Sequence, residues 1–405
     1  MVTPFKNIRF TVQQWLTLFL LVLAGMNVFS MYYYFLLAAA AFFLITQKRY
    51  IFDINVLFLL VLSISWMLFS PETASLSITS LIKPTLYPLA YMVGRNFFDY
   101  GQIRDVNFAK NAFIPAITLL SLGPFLHYLL NYLLNLSSGD RNTIDFWSRS
   151  ILSATGQAAL ACMMLAVAIA LLFMSVKRTT KMCAVGVLLI IFLYNFILSG
   201  RTLFVIAICV VLGCLLYYLY TNKSREKRAK IIIIILCVAF LLTIILSLDL
   251  FGVRSFIEQS NLYKRFTEGE EELGETGRWE RKAGYLENFS QGMLGGAKLR
   301  EIIDGYAHDL FLDTYDEAGF FALLAVFFFC VKALLLCIKF LGKKDIAFDG
   351  RIMIVALYIA IYMQFCVEPI LQGMAWLFAL FCFVVGMLEK IMATPLPKRM
   401  RDTET

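Results

Sequence analysis

Residues 231–247 read IIIIILCVAFLLTIILS, a run with no charge, no proline and no glycine. Within hydrocarbon, only a helix satisfies every backbone N–H and C=O group inside one continuous segment. The strand of a transmembrane barrel would show about ten residues of alternating polarity, and this run has no such alternation. It therefore reads as a membrane-crossing helix, for which about 20 residues suffice. The rest of the chain repeats the pattern in both directions. Its 405 residues are 60% hydrophobic and only 16% charged, with a mean hydropathy of +0.76, whereas soluble chains carry about 25% charged residues. An ordinary soluble domain is excluded. The expected fold is an all-α polytopic membrane protein.

Twelve crossings are expected, at 12–29, 31–46, 51–69, 76–94, 111–134, 151–176, 182–198, 202–220, 231–248, 310–338, 352–368 and 370–389. This divides the chain into nine helices over 1–248, an extracytoplasmic loop or cap over 249–309, three helices over 310–389 and a tail over 390–405. Lys6 and Arg9 precede an apolar run as in a signal peptide, but no small-residue cleavage site follows Phe29, so the first segment reads as a retained helix. Lys and Arg accumulate in cytoplasmic loops. Clusters such as Lys48/Arg49, Lys177/Arg178/Lys181, Lys223/Arg225/Lys227/Arg228/Lys230, Lys339/Lys343/Lys344/Arg351 and Lys398/Arg399/Arg401 fall on alternate connections. Both termini are then cytoplasmic and the 249–309 segment lies outside. The net charge of +8 thus reflects topology and gives no argument for nucleic-acid binding. All nine cysteines fall in or beside apolar runs, which implies neither a disulfide framework nor a metal cluster.

The 249–309 segment is the one large break in hydropathy, and a long loop in a compact protein is usually functional or disordered. Its aromatics (Phe256, Tyr263, Phe266, Trp279, Tyr285, Phe289, Tyr306) argue for a folded cap. The acids between Glu268 and Glu275 read as a solvated turn. A phosphate loop is absent, since Gly342-Lys343-Lys344-Asp345 lacks the hydroxyl residue. The sequence also lacks HExxH, CxxC and Asp-x-Asp, so ATP hydrolysis and metal-dependent use of a nucleotide sugar are not expected, nor is any cofactor.

Histidine occurs twice. His127 lies within an apolar run and reads as a helix position satisfied by a neighbour. His308 closes the large loop at the mouth of the tenth helix, where an imidazole suits proton transfer near neutral pH. Asp304, four residues earlier, would orient its ring if that stretch is helical. Asp309, Asp313, Asp316 and Glu317 recur at helical spacing and are expected on about one face of a helix at the membrane surface. Arg201 follows Ser199-Gly200 with almost no loop, which puts a cation at the positive pole of a helix beside hydrocarbon, where charge is costly. A guanidinium beside free helix-start amides makes an anion site. The alternatives are an Arg201 that snorkels to headgroups and, for Arg278, a salt bridge within the cap.

Ser199-Gly200-Arg201, then Gly277-Arg278 with Gly292 and Gly295-Gly296, then His308, Leu312, Glu317 and Gly319 together resemble the superfamily of O-antigen ligases and Wzy-type O-antigen or capsule polymerases. Asp309 stands where that family usually has Asn, and Ala322 where Gly is common. The resemblance implies a GT-C-like, inverting, metal-independent glycosyltransferase of the bacterial cytoplasmic membrane. It implies a polyprenyl-pyrophosphate-linked oligosaccharide as donor, a lipid-linked repeat unit as acceptor, and a flippase and a chain-length regulator as partners. Arg201, Arg278, Arg281 and Lys282 would bind the pyrophosphate, His308 would take the acceptor's proton, and Asp304, Asp309 and Glu317 would support them. Polymerisation is the first expectation and ligation to another acceptor the second. A twelve-helix glycolipid flippase or transporter is the reading from another class. The halves 1–200 and 201–405 show no internal repeat, and mid-membrane acids are nearly absent, which fits a transporter poorly.

Overall fold

The computed structural model describes residues 8–47, 51–73, 78–136, 142–222, 253–267 and 277–395, with scattered residues between 224 and 249. The described chain is nearly all helix. In order the helices are α1 (Val12–Gly25), α2 (Tyr32–Gln47), α3 (Ile54–Phe69), α4 (Ile78–Phe97), α5 (Tyr100–Ile103), α6 (Ile114–Leu134), α7 (Ala154–Phe173), α8 (Arg178–Ile197) and α9 (Arg201–Thr221). They continue with α10 (Val253–Gln259), α11 (Asn261–Thr267), α12 (Arg278–Glu287), α13 (Lys298–Ile303), α14 (Leu310–Gly342), α15 (Phe348–Phe365), α16 (Ile370–Gly373) and α17 (Ala375–Ala393). A two-stranded hairpin, Thr143–Ile144 with Ile151–Leu152, joins α6 to α7.

Seven of the described helices are long and apolar enough to cross a membrane: α6 with its preceding π-helical turn (together Ala109–Leu134), α7, α8, α9, α14, α15 and α17. The apolar parts of α1, α2 and α3 are shorter, and α4 carries Lys83 and Arg95. Helices thus occupy eleven of the expected positions with shifted ends. α1 stops at Gly25 rather than Phe29, α14 runs on to Gly342, and the last expected crossing splits into the short α16 and α17. The expected crossing at 231–248, the acids 268–275 and most of the basic tail lie outside the described residues.

The bundle is built around α7 and α17, of whose apolar windows 83% and 89% are buried, whereas α8 and α9 bury 22% and 28% and turn most of their surface outward. α17 lies along α4 at backbone distance. A Cβ on Gly386 would stand 2.7 Å from the Arg95 amide nitrogen, and one on Gly94 would stand 3.0 Å from the Cα of Phe383. In hydrocarbon, small residues are what allow helices to approach so closely. α4 itself contains Pro84 and Pro88. Pro88 has no N–H to offer the carbonyl of Pro84, and that carbonyl instead accepts a 2.6 Å hydrogen bond from the Ser63 hydroxyl of α3. The helix therefore continues through both prolines.

α9 runs antiparallel to α15. Tyr217 stacks on Phe348 with ring centroids 6.0 Å apart, and Gly213 faces Ile359 and Val355. The start of α9 is therefore level with the end of α15, on the side of the bundle where residues 277–309 pack over the start of α14 (hereafter the loop side). The ends of α4, α14 and α17 that carry Arg95, Lys339 and Lys390 lie at the opposite side, with the starts of α8 and α15 that carry Arg178 and Arg351.

Candidate functional site

The site grows from the entrance of α14. Tyr285, Leu299, Ala307 and Tyr315 form a small core of their own, with Phe289 stacked on Tyr315 at 4.1 Å between centroids. Around that core, buried acids at the start of α14 hold the overlying loop by its backbone. Asp316 accepts from the Leu299 amide at 2.7 Å and more weakly from Arg300. The carbonyls of Asp316 and Glu317 accept from the amides of Ala297 and Gly296, and the Phe320 amide donates to Met293. Those carbonyls are diverted from the helix because the chain breaks helical geometry at Gly319, where φ is 82° and ψ −174°. Only glycine adopts that conformation readily. Gly295 (φ 73°) lies against it, with 2.7 Å from its would-be Cβ to the Gly319 nitrogen.

Two expectations are corrected here. Asp313, Asp316 and Glu317 do not line the membrane surface; each is at most 2% exposed, because each pins loop to helix. Asp304 does not orient His308 through a helix either. α13 ends at Ile303, Asp304 is left-handed (φ 54°), Gly305 follows at φ 143°, and the chain turns instead.

His308 is also left-handed (φ 56°), a conformation that costs a non-glycine residue free energy and tends to occur at functional sites. Asp313 holds it there. One carboxylate oxygen accepts from the Ala307 amide and the other from the Asp309 amide, both at 2.8 Å, so the two peptide groups flanking His308 are fixed together. Asp309 is the N-cap of α14, accepting from Phe311 and Leu312, and takes a 3.2 Å contact from Lys282. It acts as an acceptor throughout, as an Asn oxygen would.

The His308 Nδ1 is buried and has no hydrogen-bond partner within the described residues. Burial, followed by the positive charges of Arg278, Arg281 and Lys282, pushes its pKa down to about 4. The ring is therefore neutral at physiological pH, with a cationic wall beside it. That wall is α12. Arg278 donates to the Val367 carbonyl at 3.3 Å and lies 3.9 Å from Glu368, with a third of its side chain exposed. Lys282 donates to the Cys366 carbonyl at 3.0 Å, and the Arg281 guanidinium lies against Gly305. Arg278 and Lys282 are thus anchored to the link after α15 while part of each side chain remains exposed.

Arg201 is the first residue of α9. Ser199 is left-handed (φ 51°), and the Asn195 side chain donates to the Gly200 carbonyl at 2.6 Å, which fixes the turn between α8 and α9. The antiparallel register puts Arg201 at the level of the α15 end that carries the carbonyls bonded by Arg278 and Lys282. Of the residues singled out from sequence, His308, Arg278, Arg281, Lys282 and Asp309 therefore stand together, Arg201 shares their level on the loop side, and Glu317 faces another way. Glu317 accepts from Ser70, the residue after α3, at 2.6 Å and pairs with Arg300 at 3.3 Å.

Sequence reasoning missed Arg300, Asp313's clamp and Ser70. Tyr306, two residues before His308 and named from sequence only as a loop aromatic, lies with its ring 6.5 Å from the imidazole. The second histidine, His127, bonds Asp145 of the hairpin at 2.7 Å. Burial would raise the Asp145 pKa, but the His127 contact and the Ser148 hydrogen bonds hold it well below the usual carboxylate range. The eight described cysteines are unpaired thiols, and among the described residues no group of three His, Cys, Asp or Glu side chains could hold a metal ion. No protein-family model matches the chain, and no curated protein matches it. The residues themselves carry the functional reading.

Proposed function

We propose that this membrane protein is a metal-independent glycosyltransferase that polymerises a polysaccharide. In this reading it moves a glycan from polyprenyl pyrophosphate onto a lipid-linked repeat unit at the outer face of a bacterial cytoplasmic membrane. The observation that carries the reading is a half-buried imidazole beside three cations, its Nδ1 without a hydrogen-bond partner among the described residues. The acceptor hydroxyl gives its proton to the His308 imidazole as its oxygen forms the new bond to the anomeric carbon. The bond from that carbon to the pyrophosphate breaks, inversion follows from attack on the opposite face, and polyprenyl pyrophosphate leaves. Arg278, Arg281 and Lys282, with Arg201 on the same side, meet the charge that develops on the leaving group.

Twelve crossings with both termini inside complete the proposal. The Lys and Arg at the helix ends opposite the loop support that orientation, which puts the site outside the cytoplasm. A flippase supplying donor and acceptor and a regulator of chain length are the partners this role requires. The test is reconstitution of the purified protein in liposomes with lipid-linked repeat unit alone. A glycan ladder without any other acceptor is expected from a polymerase, whereas a ladder only on adding a second acceptor identifies a ligase. Arg201→Lys, which keeps charge and loses the bidentate fork, is expected to shorten the products severely. Unchanged ladders for Arg201→Lys, Arg278→Ala and His308→Ala together refute the mechanism.

A further inference from the structure

His308 has two sides. Toward α15 and α16 it faces the α12 cations; toward α3 and α4 it faces a different surface. There the Arg300 guanidinium lies over the Tyr306 ring at 4.7 Å and pairs with the buried Glu317. The Glu317 Oε2 meets Arg300 at 3.3 Å without a hydrogen bond. The short turn after α3 brings Glu72, and α4 brings Lys83, whose ammonium lies 3.7 Å from Glu72 with both side chains about a third exposed. The Ser70 hydroxyl ties this turn to the Arg300 partner, since it donates to Glu317 at 2.6 Å and accepts from the Glu72 amide at 3.2 Å. Two regions distant in sequence, 72–83 and 300–306, thus bring an aromatic ring, a carboxylate and two cations to one partly open surface near the imidazole.

A sugar ring presents C–H groups on its faces and hydroxyls around its edge. It is recognised by an aromatic ring below and by ionised groups at the rim, because hydrogen bonds to charged partners are the strong ones. The α12 wall presents Arg278, Arg281 and Lys282 and is suited to a diphosphate, and the Asp309 carboxylate beside it is already engaged by two amides and Lys282. We infer that Tyr306, Glu72, Lys83 and Arg300 form the acceptor saccharide subsite, with the sugar stacked on Tyr306 and its hydroxyls shared between Glu72 and Lys83. This rests on the reading of His308 as the acceptor's base. A hydroxyl held over Tyr306 then lies next to the imidazole, and the diphosphate approaches from the other side.

Two probes separate the two surfaces. The first is the repeat-unit oligosaccharide released from its lipid by mild acid, followed by saturation-transfer NMR on the full-length protein in nanodiscs. The second is inorganic pyrophosphate, followed by calorimetry. Tyr306→Ala and Glu72→Gln are each expected to weaken oligosaccharide binding about tenfold or more, the loss of one charge-assisted hydrogen bond or stacked face, and to leave pyrophosphate binding unchanged. Arg278→Ala is expected to do the reverse. Tyr306→Phe keeps the ring and should restore most of the binding. Glu72→Gln alters a half-exposed side chain without changing its shape, so it carries the test if Tyr306→Ala lowers the melting temperature. Unchanged oligosaccharide binding in both variants, or none to the wild type, overturns the subsite. If His308→Ala meanwhile abolishes the ladder, the glycosyltransferase reading stands without it; if that ladder is unchanged, the reading itself falls.

Discussion

His308 combines a backbone conformation that residue spacing does not encode with an ionisation set by its neighbours. Its deprotonated form is the active one, so activity is present above its pKa and lost as pH falls through it. In the free protein the acid limb of kcat/KM is expected near about pH 4, where burial and the α12 cations place the imidazole. A bound diphosphate offsets those cations and raises the pKa, so the acid limb of kcat should lie at higher pH than that of kcat/KM. Two coincident limbs would contradict the cationic wall. Asp313 supports a second prediction. Asn in its place keeps one acceptor oxygen for two amides, so Asp313→Asn should lower kcat about tenfold, the equivalent of one buried hydrogen bond, while pyrophosphate affinity measured by calorimetry stays the same. His308 was legible because histidine occurs only twice in the chain, whereas residues 249–309 carry eight Lys and Arg, so Arg278, Arg281 and Lys282 were singled out by the resemblance rather than by rarity. Asp313's part was not legible, because it acts on peptide groups and leaves no signature in residue type.

α14 shows how far periodicity reaches. The stretch 310–338, apolar beyond Gly319 apart from Lys332, correctly marks a helix, yet the spacing of its first acids suggested a surface row that the structure buries. The break at Gly319 is what reverses the reading, since it frees the carbonyls of Asp316 and Glu317 to bind the loop. Gly319→Ala should therefore detach the loop rather than unfold the bundle. A Cβ there meets the Met293 carbonyl oxygen at 2.8 Å, and the backbone strain costs about 1–3 kcal/mol. Hydrogen exchange should rise across residues 293–300 and stay low in α7. α4 illustrates the converse. Its two prolines would end a helix in isolation, and the helix there continues because Ser63, on a neighbouring helix, accommodates the freed Pro84 carbonyl.

For the molecule as a whole, hydropathy located the long described helices but neither the short ones of residues 253–303 nor how the helices meet. The closest meeting, α4 on α17, depends on Gly94 and Gly386. Gly386→Leu should lower the unfolding midpoint in detergent, with overpacking of about 1–3 kcal/mol, and a melt equal to the wild type would show the helices free to part. Orientation has its own check. Trp279 is 82% exposed on α12. Trp279→Cys, with the exposed Cys183 and Cys366 replaced by serine, should react with an impermeant maleimide added to intact cells of an outer-membrane-permeable strain. Labelling only after inner-membrane lysis would invert the topology. The loop's attachment to α14 has one more consequence. Amides of Ala297, Leu299, Arg300, Ala307 and Asp309 are the groups that the acids and carbonyls of that helix grip, and every residue but proline supplies an amide. Mutational drift can rewrite most letters of that segment while its path in space persists, so descendants of such a protein would keep their shape long after their spelling had diverged.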